Sequence, residues 1–422
     1  MANTIKLGNG NWATKEGSLL AYNDENNNFK PLPFTTTRAS SATVVNKQGL
    51  IETVGSGIPR IDFSDDTNGA LLLEPTRSNS VDNSTNFFLN SWSGTRVSEG
   101  STIVSPNGQD EAHKLIASSV SNTHYREYII YSASSGSYTG SCFFKKGEFN
   151  VGSIRMSVDS YANRIGVYIN LDNGTHLQTS TVGSPTGTSY KIEDYGNGWY
   201  RFSVTITHTS GEVRMSLSNA SSDYTNSSGL PLFLGNSSDG GYTWGAQLEQ
   251  GSYATSYIPT QGTSQTRVAD TASGSGNSTV INSTEGVLYA EISALADDGT
   301  SRRLSISDGT PNNHISIDIS EYTNTIIGRV RSSNIEYAFM TIAGVTQSNT
   351  NKIALKYKSN DCSLWVNGVE LVTDISVTMP IGLSELSFDK GESSNNFYGK
   401  AKDVRVYTTA LSDAELTTLT TI

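Results

Sequence analysis

Four tyrosines stand in polar surroundings: Tyr125 and Tyr128 in HYREYIIY, Tyr161 in DSYANR and Tyr224 in SSDYTNSS. Exposed aromatic rings flanked by amides, hydroxyls and arginines suit the apolar C–H face and polar rim of a sugar. Hydrolysis of a glycosidic bond instead needs two carboxylates about 5 to 10 Å apart. The stretch YAEISALADD (289–298) offers Glu291 but no acid two positions on, and Asp297 and Asp298 fall in a turn-like ADDGT. The five histidines, at 113, 124, 176, 208 and 314, are scattered, and no Gly-x-Ser-x-Gly elbow, His-Glu-x-x-His or phosphate-cradling glycine loop accompanies them. His208 ends an alternating stretch and His314 begins one, which predicts exposed edge positions for both. The sequence therefore reads as non-enzymatic.

Short alternating segments must position these residues. YRFSVTITH, VRMSLS, HISIDIS, KIALKYK and DVRVYTT each put apolar side chains on one face, as half-buried antiparallel strands do. Turn clusters separate them, and Asn367-Gly368 between CSLW and VELV predicts a type I′ hairpin. SDAELTTL carries a capping box, Ser412 with Glu415, and predicts a short helix packed through Leu411, Leu416 and Leu419. Trp199, in GNGWYRF, and Trp365 lead into strands and are expected to be buried.

Composition agrees with sheet. The 422 residues hold 39 Gly and 20 Tyr with only 16% charged residues, a mixture that suits many strands and turns. The formal charge of −11 opposes a nucleic-acid partner. Two cysteines, Cys142 and Cys362, imply no disulfide framework, and no apolar run is long enough for membrane insertion. The opening MANTIKLGNGNWATKEG lacks a secretory pattern, so synthesis in a host cytoplasm is expected. Turn-rich breaks near 74–86 and 259–283 suggest residues 1–84 as an irregular N-terminal region, 85–262 as one β-sandwich, 263–282 as a linker and 283–422 as a second sandwich. The fold class expected is all-β, with two antiparallel sandwiches in tandem.

The series TRASSATVVNKQGLIETVGSGIPRIDF, GALLLEPTRSN, YGNGWYRFSVTIT and YTWGAQLEQGSYATSYIPTQGTSQTRVAD resembles an arrangement found in bacteriophage virion proteins, covering roughly 34 to 270. The resemblance implies a jelly-roll module similar to carbohydrate-binding modules, preceded by a companion region with Arg38, Pro59-Arg60 and Glu74-Pro75-Thr76-Arg77. GVLYAEI, LKYKSNDCSLWVNGVEL and FYGKAKDVRVYTTALSDAEL resemble the concanavalin A-like lectin/glucanase fold in its laminin-G-like form, over roughly 283 to 422. Glucanases of that fold carry Glu-x-Asp-x-x-Glu on one strand, which Glu291 does not begin.

Jelly-roll modules of this kind often hold a structural Ca²⁺, which would fall near Asn86 and near Gln247 and Glu249, with no other cofactor implied. YTWGAQLE reads as a closing strand with Tyr242, Trp244, Ala246 and Leu248 on one face and Gln247 and Glu249 on the other. The resulting expectation is a virion-surface structural protein, a head or tail fibre or decoration adhesin. Residues 1–84 would join it to other virion proteins, and 85–422 would fold without them. Its sandwiches would bind host-surface or environmental glycans as a homo-oligomer, a trimer by analogy with phage fibres. Alternatives are a capsular polysaccharide depolymerase and a purely architectural capsid or tail protein.

Overall fold

The computed structural model describes residues 4–15, 17–23, 30–89, 91–392 and 394–422. Among these, antiparallel sheet dominates and the single helix is Asp413–Thr420. The all-β expectation holds. The chain forms two compact units, one of residues 1–41, 54–75 and 268–422, the other of 42–53 and 76–267.

The second unit is a sandwich of two six-stranded sheets. One runs in the order Val97–Val104, Asp110–Ala117, Gly240–Gln250, Gly136–Lys145, Trp199–His208, Thr186–Asp194. The other runs Ser93–Thr95, Tyr125–Ala133, Gly211–Ala220, Val151–Val158, Asn163–Asn170, His176–Val182. Their alternating apolar residues meet in one core: Ile154, Met156, Val167, Met215 and Leu217 from the second sheet, Cys142, Phe144, Phe202, Val204 and Leu248 from the first. Burying each large apolar side chain contributes about 2 kcal/mol.

The strand Gly240–Gln250 does not keep one alternation along its length. Trp244 stands opposite Phe143 but Gln247 stands opposite Ser141, so the strand gains one residue between them. Gly245 takes φ +65°, as one form of β-bulge requires. The bulge moves Ala246 and Leu248 into the inter-sheet core, while Trp244 packs on the opposite face with Val45, Ile51, Phe143 and Tyr257. The expected single face of Tyr242, Trp244, Ala246 and Leu248 is thus corrected, although Trp244 and Trp199 are buried as expected.

In the first unit, Ile5–Gly8, Gly399–Tyr407, Glu285–Ala294, Asn351–Lys358, Cys362–Val366 and Val369–Asp374 lie in order in one sheet. A five-stranded sheet, from Ile335–Ala343 to Glu385–Ser387, supplies further residues to the same core. Asn367 and Gly368 both take positive φ, as the type I′ hairpin needs. Ser412 donates from its backbone N–H to Glu415 Oε2 at 2.9 Å, and Leu411 and Leu416 pack on Trp365 and Tyr407.

Residues 1–84 are not a separate region. Ile5 pairs with Val406, Leu7 with Val404, and Ala70–Leu73 pairs with the start of the Gly399–Tyr407 strand. Ile5, Leu7, Leu19, Leu71 and Leu73 are core residues of the first unit, whereas residues 42–53 and 76–84 belong to the second. Strands this short cannot bury their own apolar face, so they complete larger sheets. Residues 263–282 are not a free connector either: Gln265–Arg267 pairs with Arg77–Asn79, and Thr271–Ser273 with Thr35–Thr37.

The companion-region residues form a buried ion network in the first unit. Arg60 donates to Glu74 Oε2 at 2.6 Å and to the Asp270 carboxylate, which also accepts from Arg38 Nη1 at 2.9 Å. Burial opposes the charge on Arg60, but Glu74 and Asp270 outweigh it and hold the guanidinium above its ordinary pKa.

Candidate functional site

The sheet Ser93–Thr95 to His176–Val182 has a polar outer face, because residues alternating with its core side chains are Ser, Arg, Glu and Tyr. Register places Glu127 beside Ser216, Ser216 beside Arg155, and Arg155 beside Gly166. The next positions along the strands align Arg214, Ser157 and Arg164. Part of this face is covered by the hairpin Thr225–Ser227 and Leu230–Leu234. Its Gly229 carbonyl lies so close to Gly166 that a Cβ there would meet it at 2.1 Å.

Glu127, 4% exposed, is the hub. Its Oε1 accepts from the Tyr161 hydroxyl at 2.5 Å and Arg214 Nη1 at 3.2 Å. Its Oε2 accepts from Ser216 Oγ at 2.8 Å and Arg155 Nη2 at 3.3 Å. The Arg155 guanidinium lies 5.4 Å from the Tyr125 ring centroid and 5.2 Å from that of Tyr161, while Arg214 sits 4.3 Å from Tyr161. Burial first, then the Glu127 carboxylate, pushes the Tyr161 hydroxyl up to about 12, so it stays protonated and donates. The turn carrying Tyr161 is strained: Asp159, Ser160 and Tyr161 have φ of 55°, 52° and 69° in succession.

Tyr125 and Tyr161 are therefore brought together, both half-buried. Tyr224 lies on a different part of the module, stacked on Tyr168 with centroids 5.1 Å apart and planes 6° apart. It lines a cavity of about 340 Å³ with Asn150, Val151, Asn170, Leu177, Gln178 and Ser222. Tyr128 is corrected. Three positions from Tyr125, it points to the other face, packs into the core on Trp92 and donates to Ser80 O at 2.6 Å.

Gln247 and Glu249 are fully buried rather than presented to an ion. Glu249 accepts from the Thr255 backbone at 3.0 Å and from its hydroxyl, and Gln247 Oε1 accepts from Ile258 N–H at 2.6 Å. These oxygens tie down the 251–258 turn and do not fit a cation. Asn86 is likewise engaged, with Glu99 and Phe88 N–H. His208 and His314 are also corrected, being 1% and 0% exposed. His208 packs edge-on to Tyr138, and His314 Nδ1 lies 3.1 Å from Pro311 O.

In the first unit Asp297 and Asp298 serve their turn, with Asn324 N–H and with Thr300 N–H and Arg302. Glu291 instead stands opposite Asp403 of the neighbouring strand. Burial holds Glu291 above its ordinary pKa against the nearby Lys352, and burial does the same to Asp403 against Arg405. The sequence did not show this pairing. Glu127, Arg155, Arg164 and Arg214 were missed as well, although SIRMSV and GEVRMS already place an arginine between core-facing residues.

No family model and no curated protein matches the sequence. Among solved structures, the chain is similar to the CBM40 of a Ruminococcus gnavus IT-sialidase, at 21% identity over 36% of this chain and 94% of that one, with a TM-score of 0.30. It is similar to domains LG4-5 of the mouse laminin alpha1 chain, at 10% identity over 69% and 91%, with a TM-score of 0.23. A Trypanosoma rangeli sialidase in complex with sialic acid matches at 10% identity over 95% and 65%, with a TM-score of 0.28. None of the three reaches a TM-score of 0.5, so the functional reading rests on the chain's own geometry.

Proposed function

We propose that the chain is a non-enzymatic glycan-binding structural protein, displayed on a bacteriophage particle as a fibre or decoration adhesin. The observation that carries glycan binding is the cavity at Tyr224. An aromatic ring, a leucine and three side-chain amides line a volume suited to one or two sugar units. The virion setting is supported by the ordered motifs between 34 and 270. Weak single-site binding would gain strength from many copies on one particle.

A glycan array probed with the chain presented multivalently tests the reading. Binding is expected, with at least a tenfold loss for Tyr224→Ala. Silence across the array at high valency would favour a purely architectural role. Labelled protein seen by electron microscopy on the surface of virions is the expected result for its location.

The Glu291–Asp403 pairing supports a second reading, polysaccharide hydrolysis, because direct cross-strand neighbours put two carboxylates on one face of the sheet. Release of reducing ends from host polysaccharide, abolished by Glu291→Gln, would establish that reading in place of the first.

A further inference from the structure

The outer face around Glu127 holds more positive charge than its acids neutralise. Arg155 and Arg214 share Glu127, and Arg214 is also held by Glu212, at 2.6 Å from Nε and 2.7 Å from Nη2. Arg164 is different. Among the described residues its guanidinium makes no ion pair and no side-chain hydrogen bond, and its Nε is shielded from solvent without a partner. Burial lowers the pKa of Arg164, and the like charge of Arg155 lowers it further. Three guanidiniums against two carboxylates leave one positive charge on this face, on a chain whose net charge is −11.

The groups around Arg164 are also short of partners. Ser157, its direct cross-strand neighbour and fully buried, has an unpartnered Oγ. Arg155, 4% exposed, keeps an unpartnered Nε, although its Nη2 is used by Glu127 and Ser216. Glu127 cannot supply more, because its two oxygens already accept four donors. Buried donors left unpaired cost about 1–3 kcal/mol each, more for charged groups, unless a ligand satisfies them. A planar carboxylate matches the donor fork of a guanidinium. Tyr161, held in its strained turn, and Tyr125 set their rings beside the neighbouring Arg155 guanidinium.

We propose that the Arg164 guanidinium binds the carboxylate of an acidic sugar, with Tyr161 and Tyr125 towards its ring. The inference rests on the glycan-binding reading and adds a second subsite to the same module, apart from the Tyr224 cavity. Neither subsite shares a residue with the other.

The test uses the full chain against polyvalent conjugates of neutral, carboxylated and sulfated sugars, with binding read by surface plasmon resonance. Glucuronyl and galacturonyl conjugates should bind at least tenfold more tightly than glucosyl and galactosyl ones. Arg164→Gln should erase that preference and Arg164→Lys should retain part of it. Arg164 holds no side-chain partner in the fold, so both variants should unfold like the parent, and Tyr224→Ala should leave the preference intact. Equal binding of neutral and carboxylated conjugates, or a preference surviving in Arg164→Gln, overturns the proposal while leaving the glycan-binding reading in place. A preference for sulfated over carboxylated conjugates overturns the carboxylate assignment. No binding to any conjugate overturns both.

Discussion

Arg60 donates to the carboxylate of Asp270, 210 positions further along the chain, and both side chains are buried. With Glu74 and Arg38 they join the three sequence segments of the first unit. The residues that make the N-terminal motifs recognisable are thus fastenings of the fold. Arg60→Met removes one charge and leaves Glu74 and Asp270 buried without it, at a cost of about 3–5 kcal/mol. Urea denaturation should show the first unit losing that stability while the second, which contains none of these residues, keeps its midpoint.

Removal of residues 1–84 should damage both units. The first would lose Ile5, Leu7, Leu19, Leu71 and Leu73 from its core, and the second would lose Val45, Ile51 and Val81. Limited proteolysis and calorimetry of residues 85–422 should find earlier melting and rapid cleavage. Two transitions unchanged from the full chain would restore the idea of a detachable attachment region.

Strand patterns, the Asn367-Gly368 turn and the Ser412–Glu415 cap were legible because each depends on neighbours within a few positions. The assignment of residues 1–84 was not, because Ile5 finds Val406 and Arg60 finds Asp270 only in the folded chain. The same divide runs through the candidate site. Alternation in SIRMSV and GEVRMS puts Arg155 and Arg214 on a polar face, but only register brings Glu127 between their strands. Parity alone puts Tyr128, three positions from Tyr125 on one strand, on the opposite face. Gln247 and Glu249 follow the same rule in reverse, since the Gly245 bulge shifts the alternation and the 251–258 turn then buries them.

Gly245 should tolerate no side chain. Its φ of +65° penalises an L-residue by about 1–2 kcal/mol, and a Cβ would lie 2.8 Å from the Phe143 ring. Gly245→Ala should therefore lower the denaturation midpoint of the second unit. A larger residue such as Val should lower it further, by forcing Phe143 away from Trp244 and Tyr257, which it now contacts at centroid distances of 5.2 and 6.3 Å. An unchanged midpoint for Gly245→Ala would mean that the bulge is not what sets the strand's two-sided register.

His314 should make the first unit acid-sensitive. Burial, then the charge of Arg303, lowers its pKa from 6.5 to about 4, against the opposing pull of Asp318. The imidazole is neutral in the fold, and the unfolded chain binds its proton first as pH falls. Its contribution is therefore fully present above pH 6.5, declines between 6.5 and 4, and changes no further once both states are protonated. A shift of this size corresponds to about 3 kcal/mol across that window. Replacement by Gln, which cannot titrate, should flatten the stability of the first unit between pH 6.5 and pH 4, read as the urea midpoint against pH. A profile as steep as the parent's would assign the acid limb to other groups, with Glu291, Glu385 and Asp403 excluded because their raised pKa values predict gain rather than loss of stability on acidification.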